Sequence, residues 1–169
     1  MSEWEWRILR TGRRGEYRMV ERRWVIDYMI RKCRDAVFRS AHKRLGPTPD
    51  LPLAAGLPES ARRVYLPYVD LVCVFPDRIE LIEFKVHDPM KAIAQLQYYR
   101  VLASQDPDLA KFRGLPIIAK LVYWRYDAGV ESMCRANAIA YEVECPEFLP
   151  DILRRYGYNT EECIKHLVR

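Results

Sequence analysis

The period of the hydrophobic positions changes several times along the chain, and each change marks an element. Over residues 15–40 apolar side chains recur at helical spacing. Met19, Ile26, Met29, Ile30, Cys33 and Val37 fall on one stripe at 100° per residue, which predicts a long helix packed on a sheet. Residues 41–64 lose that period. Gly46-Pro47-Thr48-Pro49-Asp50 followed by Leu51-Pro52 predicts a loop, with a short strand over 62–66 at its end. Residues 69–75 and 79–86 are apolar, β-branched runs separated by Pro76-Asp77-Arg78, and they predict a hairpin. Asp88 and Pro89 then supply an N-cap and a first helical residue. The inward stripe of that helix is Ala92, Gln95, Leu96, Tyr99 and Leu102. Beyond it the pattern predicts a strand over 117–126, a short helix over 130–136, a last strand over 138–144 and helices near 146–156 and 160–168. This order predicts an α/β (α+β) domain in which a mixed central sheet is flanked by helices, with extra helices at the C-terminal end.

Charged residues break the hairpin at three places. Asp70 interrupts the first run, while Glu83 and Lys85 interrupt the second and, two residues apart, share a face of the strand. In an antiparallel pair the numbers of facing residues have a constant sum. A two-residue loop at Pro76-Asp77 makes that sum 153 and sets Asp70 opposite Glu83. A sum of 155 sets Asp70 opposite Lys85, and an even sum sends it to the other face. Pro-Asp is not a favoured dipeptide for the tightest hairpins, so the register stays open at this point. Two carboxylates among Val, Leu, Ile and Phe are costly to desolvate unless something offsets them. The plain alternative is a salt bridge with Lys85 on the strand; the chemical one is a bound divalent cation.

Asp70, twelve residues, then Glu83-Phe84-Lys85 resembles the PD-(D/E)XK signature of metal-dependent nucleases. Gln95-Leu96-Gln97-Tyr98-Tyr99 resembles the glutamine-hydrophobic-x-x-tyrosine motif of the RecB-like and lambda-exonuclease-like branch. Val69-Asp70 stands where many members have Pro-Asp. Gly12-x-x-x-Glu16 resembles the entry motif of archaeal Holliday-junction-resolvase-like nucleases, although Glu16 also suits a first-turn acid that complements the helix dipole. The resemblance implies a restriction-endonuclease-like αβββαβ core and an Mg²⁺- or Mn²⁺-dependent deoxyribonuclease that hydrolyses phosphodiester bonds. It implies Asp70, Glu83, the Phe84 carbonyl and Glu16 as metal ligands. Lys85 would position or activate water, Gln95 would orient Lys85 or that water, and Tyr99 would reach a phosphate. Glu16 is preferred to Glu21, which projects nearly opposite the predicted stripe. Resolvase-like members act as dimers, so a homodimer is expected on that branch. The first alternative is a nucleic-acid-binding protein on the same fold without cleavage; the second is an RNA-directed nuclease.

Composition narrows the setting. One domain is the expectation for 169 residues. Its parts are a basic arm and helix over 1–45, a loop over 41–64, a core over 65–144 and C-terminal helices over 146–169. No run of eighteen apolar residues and no basic-then-apolar leader is found, which predicts a soluble cytoplasmic protein with no membrane partner. The net charge of +5 is unevenly placed, because residues 1–45 hold thirteen Lys or Arg against six Asp or Glu. With Trp4, Trp6 and Tyr17 nearby, Arg13, Arg14 and Arg18 are candidate contacts to DNA. Scarce Asn and Gln beside abundant Arg suggest a thermophilic source. Cys33, Cys73, Cys134, Cys145 and Cys163 contain no C-x-x-C pair, which disfavours a zinc ribbon. Cys33 with the last three imitates the one-plus-three iron–sulfur arrangement of some RecB-like nucleases, but too loosely to look like it. Disulfides are the other use of these residues.

Overall fold

A computed structural model describes residues 19–49 and 56–163. Five strands, β1 (Phe38–Arg44), β2 (Tyr68–Val74), β3 (Ile79–Lys85), β4 (Ile117–Tyr123) and β5 (Ile139–Val143), form one sheet in sequential order. The first three are antiparallel and the last three parallel. Helix α1 covers 19–32, and α2 (Glu59–Arg62) runs into a 3-10 turn at Arg63–Tyr65. Helices α3 (Met90–Ser104), α4 (Ala128–Ala136) and α5 (Leu149–Arg155) follow. With α2 inserted between β1 and β2, the run α1-β1-β2-β3-α3-β4 follows the αβββαβ order, and the fold is α+β with a mixed sheet between helices.

Two parallel connections decide which helix covers which face. Both β3-α3-β4 and β4-α4-β5 step the same way across the sheet, so right-handed crossovers bring α3 and α4 to one side. There Ala92, Ile93, Leu96, Val130 and Cys134 pack with Val72, Leu81 and Leu121. The opposite face receives Val20, Trp24 and Tyr28 of α1, with Leu149 and Leu153 of α5, over Leu71, Ile82, Phe84 and Val122.

The hairpin closes in the two-residue register. The Phe75 N–H donates to the Arg78 carbonyl at 2.8 Å, and the partners Leu71↔Ile82 through Val74↔Ile79 all sum to 153. Arg78 secures this turn although Pro-Asp does not favour it. Its guanidinium stacks over Phe75, 4.2 Å from the ring centre, and binds Glu80 at 2.7 Å.

Several expected boundaries move. The predicted helix over 15–40 ends at residue 32, and 38–44 form β1 instead of helix and loop. This strand, Phe-Arg-Ser-Ala-His-Lys-Arg, lacks apolar alternation because among the described residues it is an edge, where charge is tolerated. Its buried Lys43 is offset by Asp106 and Asp108 rather than by apolar packing. The strand expected over 62–66 is helical, the end of α2 and its 3-10 turn. The stripe expected on α1 is also displaced. Val20, Trp24, Val25 and Tyr28 are buried, whereas Ile26, Ile30 and Val37 are exposed. Aromatic bulk at Trp24 and Tyr28, stacked edge-on against Phe84, outweighs the two isoleucines. Asp88 is not the cap of α3. It takes a left-handed φ of +54° and pairs with Lys91, while Pro89 occupies the N-cap position. The cysteines pair as Cys33–Cys73 and Cys145–Cys163, which removes the one-plus-three cluster and leaves Cys134 as a buried thiol. Among the described residues no helix is long and apolar enough to cross a membrane.

Candidate active site

One step beyond the Leu71↔Ile82 pair, the 153 register sets Asp70 across from Glu83. Both follow the alternation of Val72 and Leu81 and so project to the α3 face. At this step side chains take over from the ladder. The Phe84 N–H donates to Asp70 Oδ2 at 2.9 Å, and the Asp70 N–H donates to Glu83 Oε2 at 3.4 Å. Each carboxylate is thereby fixed to the backbone of the opposite strand. Lys85, two residues beyond Glu83 on the same face, donates from Nζ to Glu83 Oε1 at 2.6 Å.

The electrostatics of this trio are unusual because both acids are nearly sealed from solvent, Asp70 at 8% exposure and Glu83 at 3%. Burial, and then the negative charge of Asp70, push the Glu83 carboxyl up to about 8 despite its bond to Lys85. Asp70 is raised as well, again by burial, although Lys85, the Phe84 N–H and His42 oppose the shift. Burial works against the Lys85 ammonium, yet Glu83, Asp70 and Glu21 together hold it above the ordinary lysine range. One lysine does not offset two buried carboxylates, so the pair has room for one more positive charge, a proton or a metal ion.

These groups open into a groove of about 670 Å³ whose walls include Glu21 of α1, Arg44 of β1, the segment Val64–Tyr68, and Gln95, Tyr98 and Tyr99 of α3. Gln95 Nε2 lies 3.5 Å from the Tyr99 hydroxyl, and the glutamine is half-buried beside the carboxylates rather than bonded to Lys85. Tyr99 is buried, and its hydroxyl is raised far above the usual phenol range by burial, Glu83, Asp70 and Tyr68. It therefore stays protonated and able to donate.

Two residues that sequence reasoning passed over belong to this region. Glu21 was the rejected alternative to Glu16, but it lines the groove, and its Oε1 accepts the Val86 N–H at 3.0 Å. In projection it falls between Tyr28 and Val25, within the buried arc, so weighting the aromatics would have found it. His42 faces Asp70 in the β1–β2 register, whose partners sum to 112 on either side of it. Its φ of +52° is left-handed, an uncommon state outside glycine. Burial holds its imidazole below the usual range, Asp70 pulls it back up, and Arg22 lowers it further. No pattern signalled it, because its segment read as loop.

Glu16, Arg13, Arg14 and Arg18 lie outside the described residues. Among the described residues no cluster of three or more His, Cys, Asp or Glu side chains is gathered as a metal cage. The donors present nonetheless suit Mg²⁺, which uses one or two carboxylates and keeps several waters. Asp70 and Glu83 supply two hard oxygen donors in a site short of positive charge.

No protein-family model and no curated protein matches the chain. The solved structure of protein VC1899 from Vibrio cholerae aligns with 85% of this chain at 15% identity and a TM-score of 0.48. The chain spans about a third of that protein, 34% of its length.

Proposed function

We propose that the protein is an Mg²⁺- or Mn²⁺-dependent deoxyribonuclease of the PD-(D/E)XK type, hydrolysing phosphodiester bonds. The observation that carries this reading is the trio at the end of the hairpin: Asp70 across from Glu83, both buried, with Lys85 on the same face. An ordinary strand ion pair needs one acid, and the second is a net cost unless it binds something. Asp70 and Glu83 would hold the ion, with the Phe84 carbonyl as a further donor and Glu21 or Glu16 as outer carboxylates. When bound, the metal supplies Lewis-acid polarisation of the phosphate and an acidified water. Lys85, desolvated and kept charged, offsets the negative charge that grows on the phosphoryl oxygens. Tyr99, a protonated donor, is oriented by Gln95 toward a phosphate oxygen.

The test is single-turnover cleavage of labelled linear, single-stranded, flap and junction DNA in Mg²⁺ and Mn²⁺, with EDTA controls. Asp70→Asn and Glu83→Gln should each lower the rate by roughly 100-fold or more while the fold survives. Full activity in either variant would remove the metal assignment.

A second reading rests on the closed contact between Lys85 and Glu83, which satisfies one acid without any metal. On that reading the fold binds nucleic acid and does not cut it. Binding without cleavage of any of these DNAs in either metal would favour it.

A further inference from the structure

The groove holds aromatic rings for which hydrolysis has no use. Tyr65, Tyr68 and Tyr98 line it together with Asp70 and Glu83, and they are 64%, 41% and 54% exposed. An exposed tyrosine by itself is ordinary. Three from three different elements, the 3-10 turn, the start of β2 and the exposed side of α3, are gathered on one groove. The position of Tyr65 is built. Arg44 donates from one guanidinium nitrogen to the carbonyls of Val64 and Leu66, both at 2.6 Å, and so clamps the backbone on either side of Tyr65 to the edge strand. Tyr68 pairs with that same arginine in the β1–β2 register.

The charge of the groove does not separate the two forms of DNA. Its cations among the described residues are Arg44 and Lys85, one spent on carbonyls and the other on Glu83. Duplex and single strand alike need cations against their phosphates. What separates them is the exposed tyrosines, because a stacked pair inside a duplex has no face free to meet a ring. Unpaired bases do, whatever their identity.

We infer that the groove takes an unpaired stretch of the DNA strand, with bases stacked on Tyr65 and Tyr98 and the backbone carried past Asp70 and Glu83. This rests on the proposed nuclease reading and adds the substrate class: single strands, frayed ends or flaps rather than intact duplex. Tyr65 and Tyr98 are positioning residues here; neither touches the reacting phosphate.

The experiment measures binding apart from chemistry, by fluorescence anisotropy in Ca²⁺ with a labelled oligothymidine of about 20 nucleotides and a blunt duplex of about the same length. Wild-type protein should bind the single strand more tightly. Tyr65→Ala and Tyr98→Ala should each weaken that binding about tenfold, and Tyr65→Phe and Tyr98→Phe should restore it, because the ring and not the hydroxyl stacks. Duplex binding should move less than twofold in all variants. Thermal melts of the variants check that these exposed substitutions leave the fold intact. Equal affinity for both DNAs, or alanine variants that weaken both alike, would overturn the inference while leaving the nuclease reading in place. Cleavage restricted to duplex would do the same. Wild-type protein that binds neither DNA would overturn both.

Discussion

Glu83 is the most deeply buried acid of the groove, and its carboxyl is pushed up despite its bond to Lys85, which has a measurable consequence before any substrate is present. A carboxyl whose folded-state pKa is raised contributes stability that is fully present below its unfolded value and is lost as pH rises through the folded one. For Glu83 that window runs from about 4.5 to about 8, and the raised Asp70 acts in the same direction. The wild-type protein should therefore lose stability between pH 5 and pH 8.5 more steeply than Glu83→Gln, which keeps the shape and removes the charge. At pH 8.5 the variant should melt higher than wild type by at least roughly 3 °C, with the difference vanishing near pH 5. Mg²⁺ should raise the wild-type melt at pH 8.5 and leave the variant unmoved. Melting curves over this range decide the matter, and a variant that melts lower than wild type at every pH would mean that Lys85 and the backbone N–H already offset Glu83 in full. Lys85→Met should act oppositely, since it leaves two facing carboxylates without their cation.

At the scale of elements, the end of β1 is held by a polar knot, in addition to the apolar contacts of Phe38 and Ala41. Asp106 accepts from the N–H groups of Asp108 and Leu109 as a cap, accepts from the Gly46 N–H at 3.0 Å, and pairs with buried Lys43 at 3.2 Å. Gly46 itself has a φ of +104°, and a side chain there would press on Leu102, so the position suits glycine as the chain leaves the sheet. Asp106→Ala should cost about 3 kcal/mol in a denaturant melt, because it strands several buried donors at once. Asp108→Ala, which removes an exposed partner of the same lysine, should cost under about 1 kcal/mol. Equal losses would place the anchoring elsewhere. The same knot explains what was legible in the sequence. The hairpin, α3, β4, α4 and β5 follow hydrophobic period and turn chemistry, and those signals put Glu83 and Lys85 on one face, while Asp70 joins them only through the 153 register, which the turn dipeptide left open. β1 is a strand because β2 offers it a ladder and Asp106, 63 residues beyond Lys43, satisfies its lysine. The face of α1 was misread because isoleucines at period 3.6 describe a helix well without saying which side of it the sheet will cover.

At the scale of the molecule, the two faces of the sheet are secured by different means. On one face α3 and α4 lie inside βαβ crossovers, so the chain returns to the sheet at both of their ends. On the other, α1 precedes the first described strand and α5 follows the last, so among the described residues neither lies inside a crossover. Both disulfides fall on that second face. Cys33–Cys73 pins the end of α1 to β2, and Cys145–Cys163 joins the exit of β5 to the helical turn at 161–163. Closing loops of 40 and 18 residues is worth about 4 and about 3 kcal/mol in the chain-entropy picture. Because α1 carries Glu21 to the groove and lends its Oε1 to Val86, the first bond also steadies the site. Replacing Cys33 and Cys73 together by Ser should lower the melting temperature by roughly 10 °C and weaken metal-dependent cleavage at temperatures well below the melt. Replacing Cys145 and Cys163 should lower the melt alone, since α5 sends nothing into the groove. Cys134→Ala should leave cleavage nearly unchanged, and a reductant should reproduce the sum of the two paired variants. Thiol titration of the denatured, unreduced protein should count one free cysteine; a count of five would show that packing alone holds α1 and α5 on the sheet, and the predicted loss on reduction would then be absent.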